Sequence, residues 1–169
     1  GLPIVTLSQN PSQQDQYTQE LRYNYSGKQF DFVLGAFAFN QRIDTQGTEQ
    51  HGAASSRWTL NPTSALASTS LALFGQLAWK ATDALTIQPG LRLNYDKKEG
   101  FYQRRVFDGQ GVEIFATDTG TVRAAQLGVF TPQLSAPEAS DWNFSYDLTV
   151  SYRVAPDILT YATYAKTFK

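Results

Sequence analysis

Two runs of strict alternation between apolar and polar side chains constrain this chain more than any other feature. They occupy residues 71–80 and 85–96, with a short polar break at residues 81–84. Successive side chains of a β-strand point to opposite faces of the sheet, so a period of two predicts strands. The short break predicts that the two strands pair as an antiparallel hairpin.

Both strands of this central hairpin are long. Each has ten or more residues, whereas strands of soluble sheets have about five or six. Ten alternating residues are about what a tilted strand needs to cross a bilayer. Trp79 and Tyr95 stand at the two ends of the apolar face, and aromatic rings are enriched where hydrocarbon meets headgroups. We therefore predict transmembrane strands with an aromatic belt, to which Trp142 and Tyr152 of a later hairpin also belong.

Composition excludes several classes of function. The 169-residue chain has a net charge of −1, no cysteine and one histidine, His51. We therefore expect no nucleic-acid partner, no disulfide framework and no cofactor. A single imidazole predicts a solvated loop residue and no metal site. Because no nucleophile–base set, phosphate loop or dinucleotide motif is present, we do not expect an enzyme.

Two further hairpins flank the central one. Residues 15–25 alternate, a short turn follows at 27–29, and residues 30–43 form a strand whose two faces are both apolar. The lipid-facing side of that strand therefore stays open. Residues 141–154 show the cleanest alternation of the chain, and residues 155–157 provide a turn before the last strand. The sequence thus predicts three hairpins, or about six strands.

The connections between the predicted strands are alternately short and long. Residues 44–68 and 97–140 are polar or rich in Gly and Pro. We expect two long loops there, with a helical turn near residues 63–67 and a small hairpin around residues 108–111. Residues 1–14 are also expected to be irregular. Tight turns on one side and long extracellular loops on the other are typical of an all-β, antiparallel, up-and-down transmembrane β-barrel, which is the fold class we predict.

Six strands cannot close such a barrel, since the smallest outer-membrane barrels have eight. An open sheet edge in hydrocarbon leaves backbone donors and acceptors unpaired. The chain also begins with Gly1 and contains no methionine. We therefore expect residues 1–169 to be a partial barrel that belongs to a longer protein.

Three stretches resemble the barrel of TonB-dependent outer-membrane receptors. They are QYTQELRYNYSGKQFDFVLGAFAFNQ, SLALFGQLAWKATDALTIQPGLRLNYDKKEG and DWNFSYDLTVSYRVAPDILTYATYAKTFK. Strands of this family commonly carry FGQ before a turn and PGLR after it. Later hairpins often end in a Tyr-Ala-x-Tyr-Ala-Lys-Gly-Phe-Lys-like sequence, in which Thr167 here replaces the glycine.

The resemblance implies a barrel of about 22 strands with an N-terminal plug inside the lumen. It implies import of a scarce ligand, such as a ferric siderophore, cobalamin, haem or a carbohydrate, driven by the inner-membrane TonB complex. The location implied is the outer membrane of a Gram-negative bacterium. The implied partners are the lipid bilayer, a small-molecule ligand, and the TonB complex and plug domain through parts of the protein outside this chain.

Residues of the two predicted loops are the candidates for ligand contact. Guanidinium groups suit carboxylates and phenolates, and aromatic rings add stacking, as a catecholate siderophore requires. The alternative for each candidate is a solvated surface of a hairpin outside the membrane. The candidates are Arg57, Trp58, Tyr102, Arg104 and Arg105.

Two other functions fit part of the pattern. The first is another class of membrane barrel without a plug, such as a passive porin or an autotransporter. The second is a soluble β-sandwich that binds carbohydrate. Its Leu, Tyr and Trp face would be internal, so such a chain would be monomeric without detergent.

Overall fold

The computed structural model describes residues 5–52, 58–120 and 131–167. Ten strands belong to one sheet, and their pairing is antiparallel. Among the described residues, no helix is long and apolar enough to cross a membrane. The strands are β1 (Val5–Gln9), β2 (Ser12–Ser26), β3 (Phe30–Gln46), β4 (Thr48–His51), β5 (Trp58–Lys80), β6 (Leu85–Phe107), β7 (Glu113–Ile114), β8 (Gln133–Ser135), β9 (Glu138–Ala155) and β10 (Ile158–Lys166).

Six principal strands follow an up-and-down path in the order β2–β3–β5–β6–β9–β10. Each of them pairs with the principal strand that precedes or follows it in the chain. The four short strands extend this path, because β1 pairs with β4, β4 pairs with β5, and β7 and β8 both pair with β6. Within the described residues, β2 and β10 are the edge strands of the path. The predicted all-β, antiparallel arrangement of about six principal strands is confirmed.

The principal strands are longer than predicted. β5 begins at Trp58 and β6 ends at Phe107, and each has 23 residues, about twice what crossing a bilayer needs. Much of both predicted loops is therefore strand. The helical turn near residues 63–67 is wrong, and so is the irregular structure expected over residues 1–14, where β1 and the start of β2 lie. These polar segments pair through backbone hydrogen bonds, which do not require an apolar face.

The small hairpin around residues 108–111 is confirmed. It joins β6 to β7. The Asp108 carboxylate accepts 2.9 Å hydrogen bonds from the backbone N–H groups of Gln110 and Val112. Gly111 completes the turn with a φ of 81°, which a residue without Cβ adopts at no steric cost.

The chain divides into two compact units, whose boundaries fall within the long strands. Unit 1 comprises the described residues of Gly1–Gln16, Gln41–Ser68 and Lys98–Ala139; unit 2 comprises those of Tyr17–Asn40, Thr69–Lys97 and Ser140–Lys169. Unit 1 has its own hydrophobic core. It consists of Leu60, Val106 and Ile114, with Trp58 packed against it.

Unit 2 has almost no buried core. Of its described hydrophobic residues, only Ala72 is buried. Large apolar side chains of one face stay open, with Leu73 at 62% and Leu91 at 56% exposure. A sheet that exposes such a face needs an apolar surrounding, because water would otherwise contact a continuous hydrophobic surface.

Candidate functional site

Two glycines of unit 2 define which side chains share a face. A Cβ on Gly35 would lie 2.1 Å from Cζ of Phe74, so the Phe74 ring covers Gly35. A Cβ on Gly75 would lie 3.0 Å from Cδ2 of Leu34. Leu34 of β3 therefore shares the apolar face of β5, and Gly35 shares the opposite face with Phe74. The facing of β3, which the sequence leaves open, is decided by these contacts.

The apolar face forms an open groove of about 560 Å³. Side chains from four strands meet there, and a second groove of about 440 Å³ on the same face ends at Tyr95 and Trp142. Nearly all of the surface in both grooves is apolar. The residues that line the first groove include Phe32, Leu34, Leu73, Leu77, Pro89, Leu91 and Phe144.

Aromatic side chains lie at both ends of the apolar face. Trp79 stacks on Phe30 near the short turns, with ring centroids 6.5 Å apart. Tyr95 and Trp142 form the second pair, with centroids 4.9 Å apart. Half-exposed Tyr152 lies near the turn that follows β9. The structure therefore brings the predicted belt residues together in two groups at opposite ends of unit 2.

The distance between the two groups matches a membrane. Ten residue steps separate Leu85, at the turn, from Tyr95. At about 3.3 Å per residue they span roughly 33 Å of strand. A tilt of about 40° reduces this length to about 25 Å along the membrane normal, which is the height of the apolar band of outer-membrane barrels.

An ion pair links two of the short turns of unit 2. The Lys80 ammonium lies 2.6 Å from the Asp31 carboxylate and donates a 3.3 Å hydrogen bond to the Gly27 carbonyl. Asp31 also accepts a 2.7 Å hydrogen bond from the Ser26 hydroxyl. Lys80 at the end of β5 is thereby tied to the turn between β2 and β3.

The polar face of unit 2 carries two guanidinium groups against one ring. Cζ of Arg22 lies 5.8 Å and Cζ of Arg92 lies 5.7 Å from the centroid of Phe74, both within cation–π range. These residues and Asp147 line an open cavity of about 680 Å³. Sequence alternation places Arg92 and Asp147 on this face, but it does not predict the contact across strands from Arg22 to Phe74.

Two of the three arginines predicted to contact ligand are separated by the alternation of β6. Arg104 and Arg105 are neighbours, so their side chains leave opposite faces of the strand. Arg104 donates hydrogen bonds of 3.0 and 2.7 Å to the Thr131 carbonyl. Arg105 binds Glu113 through two hydrogen bonds of 2.8 and 2.6 Å and lies 5.1 Å from the centroid of Phe107.

The Arg105–Glu113 pair changes the acidity of both groups. The hydrogen bonds from Arg105 lower the pKa of the Glu113 carboxyl, because they stabilise its charged form. Those same bonds raise the pKa of the Arg105 guanidinium. Both side chains of this pair are therefore charged at neutral pH.

The remaining candidates of unit 1 are Trp58, Tyr102 and Arg57. Trp58 packs on the buried core and stands opposite His51 in the ladder between β4 and β5. Tyr102 is half-buried and stands opposite Ser135. Arg57 lies outside the described residues. Over the described part of the chain, no three His, Asp or Glu side chains form a group that could hold a metal ion.

The comparison with protein families decides the identity. The family described as TonB dependent receptor-like, beta-barrel, matches residues 4–169. The chain belongs to this family. No curated protein matches it. The predicted resemblance to TonB-dependent receptors is therefore confirmed, and the open antiparallel sheet is part of a receptor barrel.

A solved uptake receptor has a similar fold. The ferric yersiniabactin uptake receptor FyuA from Yersinia pestis matches with a TM-score of 0.63 and 20% sequence identity. The match covers 92% of this chain and 21% of FyuA, so the chain spans about a fifth of the length of that receptor. Both the family and this structural relative are receptors.

Proposed function

We propose that this segment is part of the barrel wall of an outer-membrane receptor that imports a scarce ligand, such as a ferric siderophore. Residues 1–169 are, in this proposal, one partial barrel domain without a plug. The observation that carries it is the apolar face of unit 2, about 25 Å high and bounded by aromatic side chains at both ends, in a chain of the TonB-dependent receptor family.

The proposal places the protein in the outer membrane of a Gram-negative bacterium. Acyl chains of the bilayer cover the face that exposes Leu73 and Leu91, while the face of Arg92 and Asp147 lines the water-filled lumen. The plug domain and the segment that contacts the TonB complex belong to parts of the protein outside this chain. The role is transport, and no catalytic residue is assigned.

The strand ends of unit 1 supply the proposed ligand-facing surface. Arg105 is the best placed of the candidates, since it is exposed, carries a fixed charge and lies over the Phe107 ring. Arg104 and Trp58 support this surface by holding Thr131 and the core of unit 1. Tyr102 and Arg57 complete the set of proposed contact residues.

Uptake of defined iron chelates tests the function. The full-length receptor is produced in a Gram-negative strain that lacks its own ferric-siderophore receptors, with and without TonB. The probes are ferric complexes of one catecholate, one hydroxamate and one phenolate siderophore, labelled with ⁵⁵Fe. We expect uptake of at least one chelate, dependent on TonB.

Two of the following results would contradict the proposal, and one would exclude only its siderophore class. If small sugars enter through the protein at rates that do not depend on TonB, and no chelate is taken up, the protein is a passive porin. If TonB-dependent uptake is found for cobalamin or a carbohydrate alone, the receptor reading holds and the siderophore class is wrong. If the protein is monomeric in buffer without detergent, it is a soluble binding module.

A further inference from the structure

The cluster around Phe74 on the polar face of unit 2 has a geometry that wall formation alone does not require. The Phe74 ring lies where a side chain at position 35 would be, and Gly35 leaves that space open. Arg22 and Arg92 both approach this ring. Two cations beside one aromatic ring repel each other, so a group of opposite charge near them lowers the free energy of the arrangement.

The two arginines differ in how their charge is balanced. Arg22 forms an ion pair with Glu20 of the same strand. Arg92 donates a 2.7 Å hydrogen bond from Nε to the amide oxygen of Asn94. Over the described residues, no carboxylate forms an ion pair with Arg92. A guanidinium has five N–H donors, so Arg92 keeps donors that can bind an oxyanion.

Asp147 lines the same cavity as Arg92 and carries the opposite charge. Its carboxylate lies over Gly90, where a Cβ would be 2.3 Å from Oδ1. Within the described part of the chain, the Asp147 carboxylate has neither an ion pair nor a hydrogen-bond partner. Arg92 and Asp147 line one open cavity of about 680 Å³ without pairing with each other. The cavity therefore offers one cation and one hydrogen-bond acceptor to a visiting group.

We propose that this cavity is an oxyanion-binding site. Arg92 binds a carboxylate or sulfonate group, Phe74 holds the guanidinium groups in position, and Asp147 accepts a hydrogen bond from a donor on the bound molecule. The site rests on the proposed function, because its face must line the water-filled lumen to be reached. The oxyanion comes either from a solute in transit or from an acidic side chain of polypeptide within the lumen.

A cysteine probe beside Asp147 tests the site. The chain contains no cysteine, and Ser145, which lines the cavity, differs from cysteine by one atom. The full-length receptor carrying Ser145→Cys is treated with an anionic reagent, sulfonatoethyl methanethiosulfonate, and with its cationic trimethylammonioethyl counterpart. Both rates are divided by those for free cysteine. We expect the anionic reagent to react about fivefold faster, because Arg92 can bind its sulfonate through charge-assisted hydrogen bonds, whereas the trimethylammonium group has no N–H to donate to Asp147.

Two variants identify the source of the preference. Adding Arg92→Gln to Ser145→Cys should bring the ratio of the anionic to the cationic rate to one or below, because the Asp147 carboxylate then remains in the cavity. Gln88→Cys lies on the same face but lines a different cavity, so its ratio should be near one already. Equal rates at Ser145→Cys, a faster cationic reagent, or a preference that survives Arg92→Gln would each overturn the site.

Protection distinguishes the two sources of the oxyanion. If millimolar benzoate slows labelling of Ser145→Cys, the site takes a solute. If labelling begins only in moderate urea and then shows the anionic preference, polypeptide occupies the site. A Ser145→Cys that fails to react in both conditions overturns the site.

A third position separates failure of the site from failure of the proposed function. Leu148 lies three residues beyond Ser145 on β9 and points to the apolar face. If Leu148→Cys reacts with these water-soluble reagents and Ser145→Cys does not, the lumen lies on the other face and the proposed function fails. If Ser145→Cys reacts without preference, only the oxyanion site fails.

Discussion

Units 1 and 2 share strands but differ in how much of their apolar surface is buried. Three of the four buried hydrophobic residues of the described chain, Leu60, Val106 and Ile114, belong to unit 1. Unit 2 contributes only Ala72, and it exposes large leucines such as Leu73 and Leu91. Unit 1 thus buries a small apolar core, as a protein in water does. Unit 2 leaves its apolar face exposed, as a sheet surrounded by hydrocarbon does.

The difference shows that strand geometry and solvent are independent. β5 and β6 keep antiparallel pairing along 23 residues each. Only the side chains change between the two units. The backbone ladder satisfies its own hydrogen bonds in either surrounding, so the sequence needs to specify the solvent only through the two faces.

The largest effect should come from the core of unit 1. Ile114 is 2% exposed, and Ile114→Ala should cost about 2–5 kcal/mol of local stability, because truncation removes buried area and leaves a cavity. Hydrogen exchange of the β6–β7 amides in the full-length receptor measures this loss. The control is Val112→Ala, at an exposed position, which should change protection by less than about 0.5 kcal/mol. Equal protection in both variants would show that this core does not hold unit 1.

The next effect tests the two faces of unit 2. Leu91→Arg places a charge on the apolar face and should cost about 2–4 kcal/mol near the bilayer midplane. Gln88→Arg, on the polar face, should be tolerated. The measurement is the free energy of unfolding in urea of the receptor refolded into lipid vesicles. Similar losses for both substitutions would refute the assigned faces.

A smaller effect tests how β3 meets β5. Gly35→Ala drives its Cβ into the Phe74 ring and should cost about 1–3 kcal/mol, since the ring must leave a fitted position. Gly75→Ala meets only the end of the flexible Leu34 side chain at 3.0 Å and should cost less. The same urea measurement applies. Phe74→Leu should restore stability to Gly35→Ala, and a failure to do so would argue against this contact.

The smallest effect is the pH dependence of the β6–β7 hairpin. Arg105 lowers the pKa of Glu113 below its ordinary value of 4.5. Since the folded-state pKa is the lower one, the pair stabilises the hairpin fully above about pH 4.5, and this contribution is lost as pH falls through the lowered pKa. Hydrogen exchange between pH 3 and 6 measures it. Glu113→Gln should remove the dependence; an unchanged profile would assign it to another group.

The faces of β5, β6 and β9 could be predicted from the sequence because their alternation is visible within one strand. The alternation predicts Leu91, Trp79 and Trp142 on the apolar face. In the structure Leu91 and Trp142 line the two grooves of that face, and Trp79 stacks on Phe30 at its end. β3 could not be assigned, since Phe32 and Phe37 mark both of its faces as apolar. Its orientation depends on contacts with a different strand, which a local pattern does not contain.

The sequence predicts loops where the polar strand ends lie, for a related reason. Apolar–polar alternation marks a strand only when its two faces have different surroundings. Residues 58–68 show no such alternation, so the pattern does not identify them as a strand. The hydrogen-bond partners of Arg104 and Arg105 likewise cannot be predicted from a local sequence pattern. Thr131 lies 27 residues from Arg104, and Glu113 faces Arg105 only because β7 folds back along β6. Arg104 and Arg105 could be proposed as site residues from their chemistry. Their placement on opposite faces follows from the fact that β6 extends through both positions.

The length of β5 and β6 has a consequence for the cost of recognition. A molecule that binds a flexible loop must order that loop. Each side chain that loses its rotamer freedom reduces the binding free energy by about 0.5–1.5 kcal/mol. Residues 102–104 and 106–107 of β6 are already fixed in ladders with β8 and β7. Binding to these residues therefore costs little conformational entropy. A single substitution there changes the side chain that a ligand meets and leaves the backbone in place.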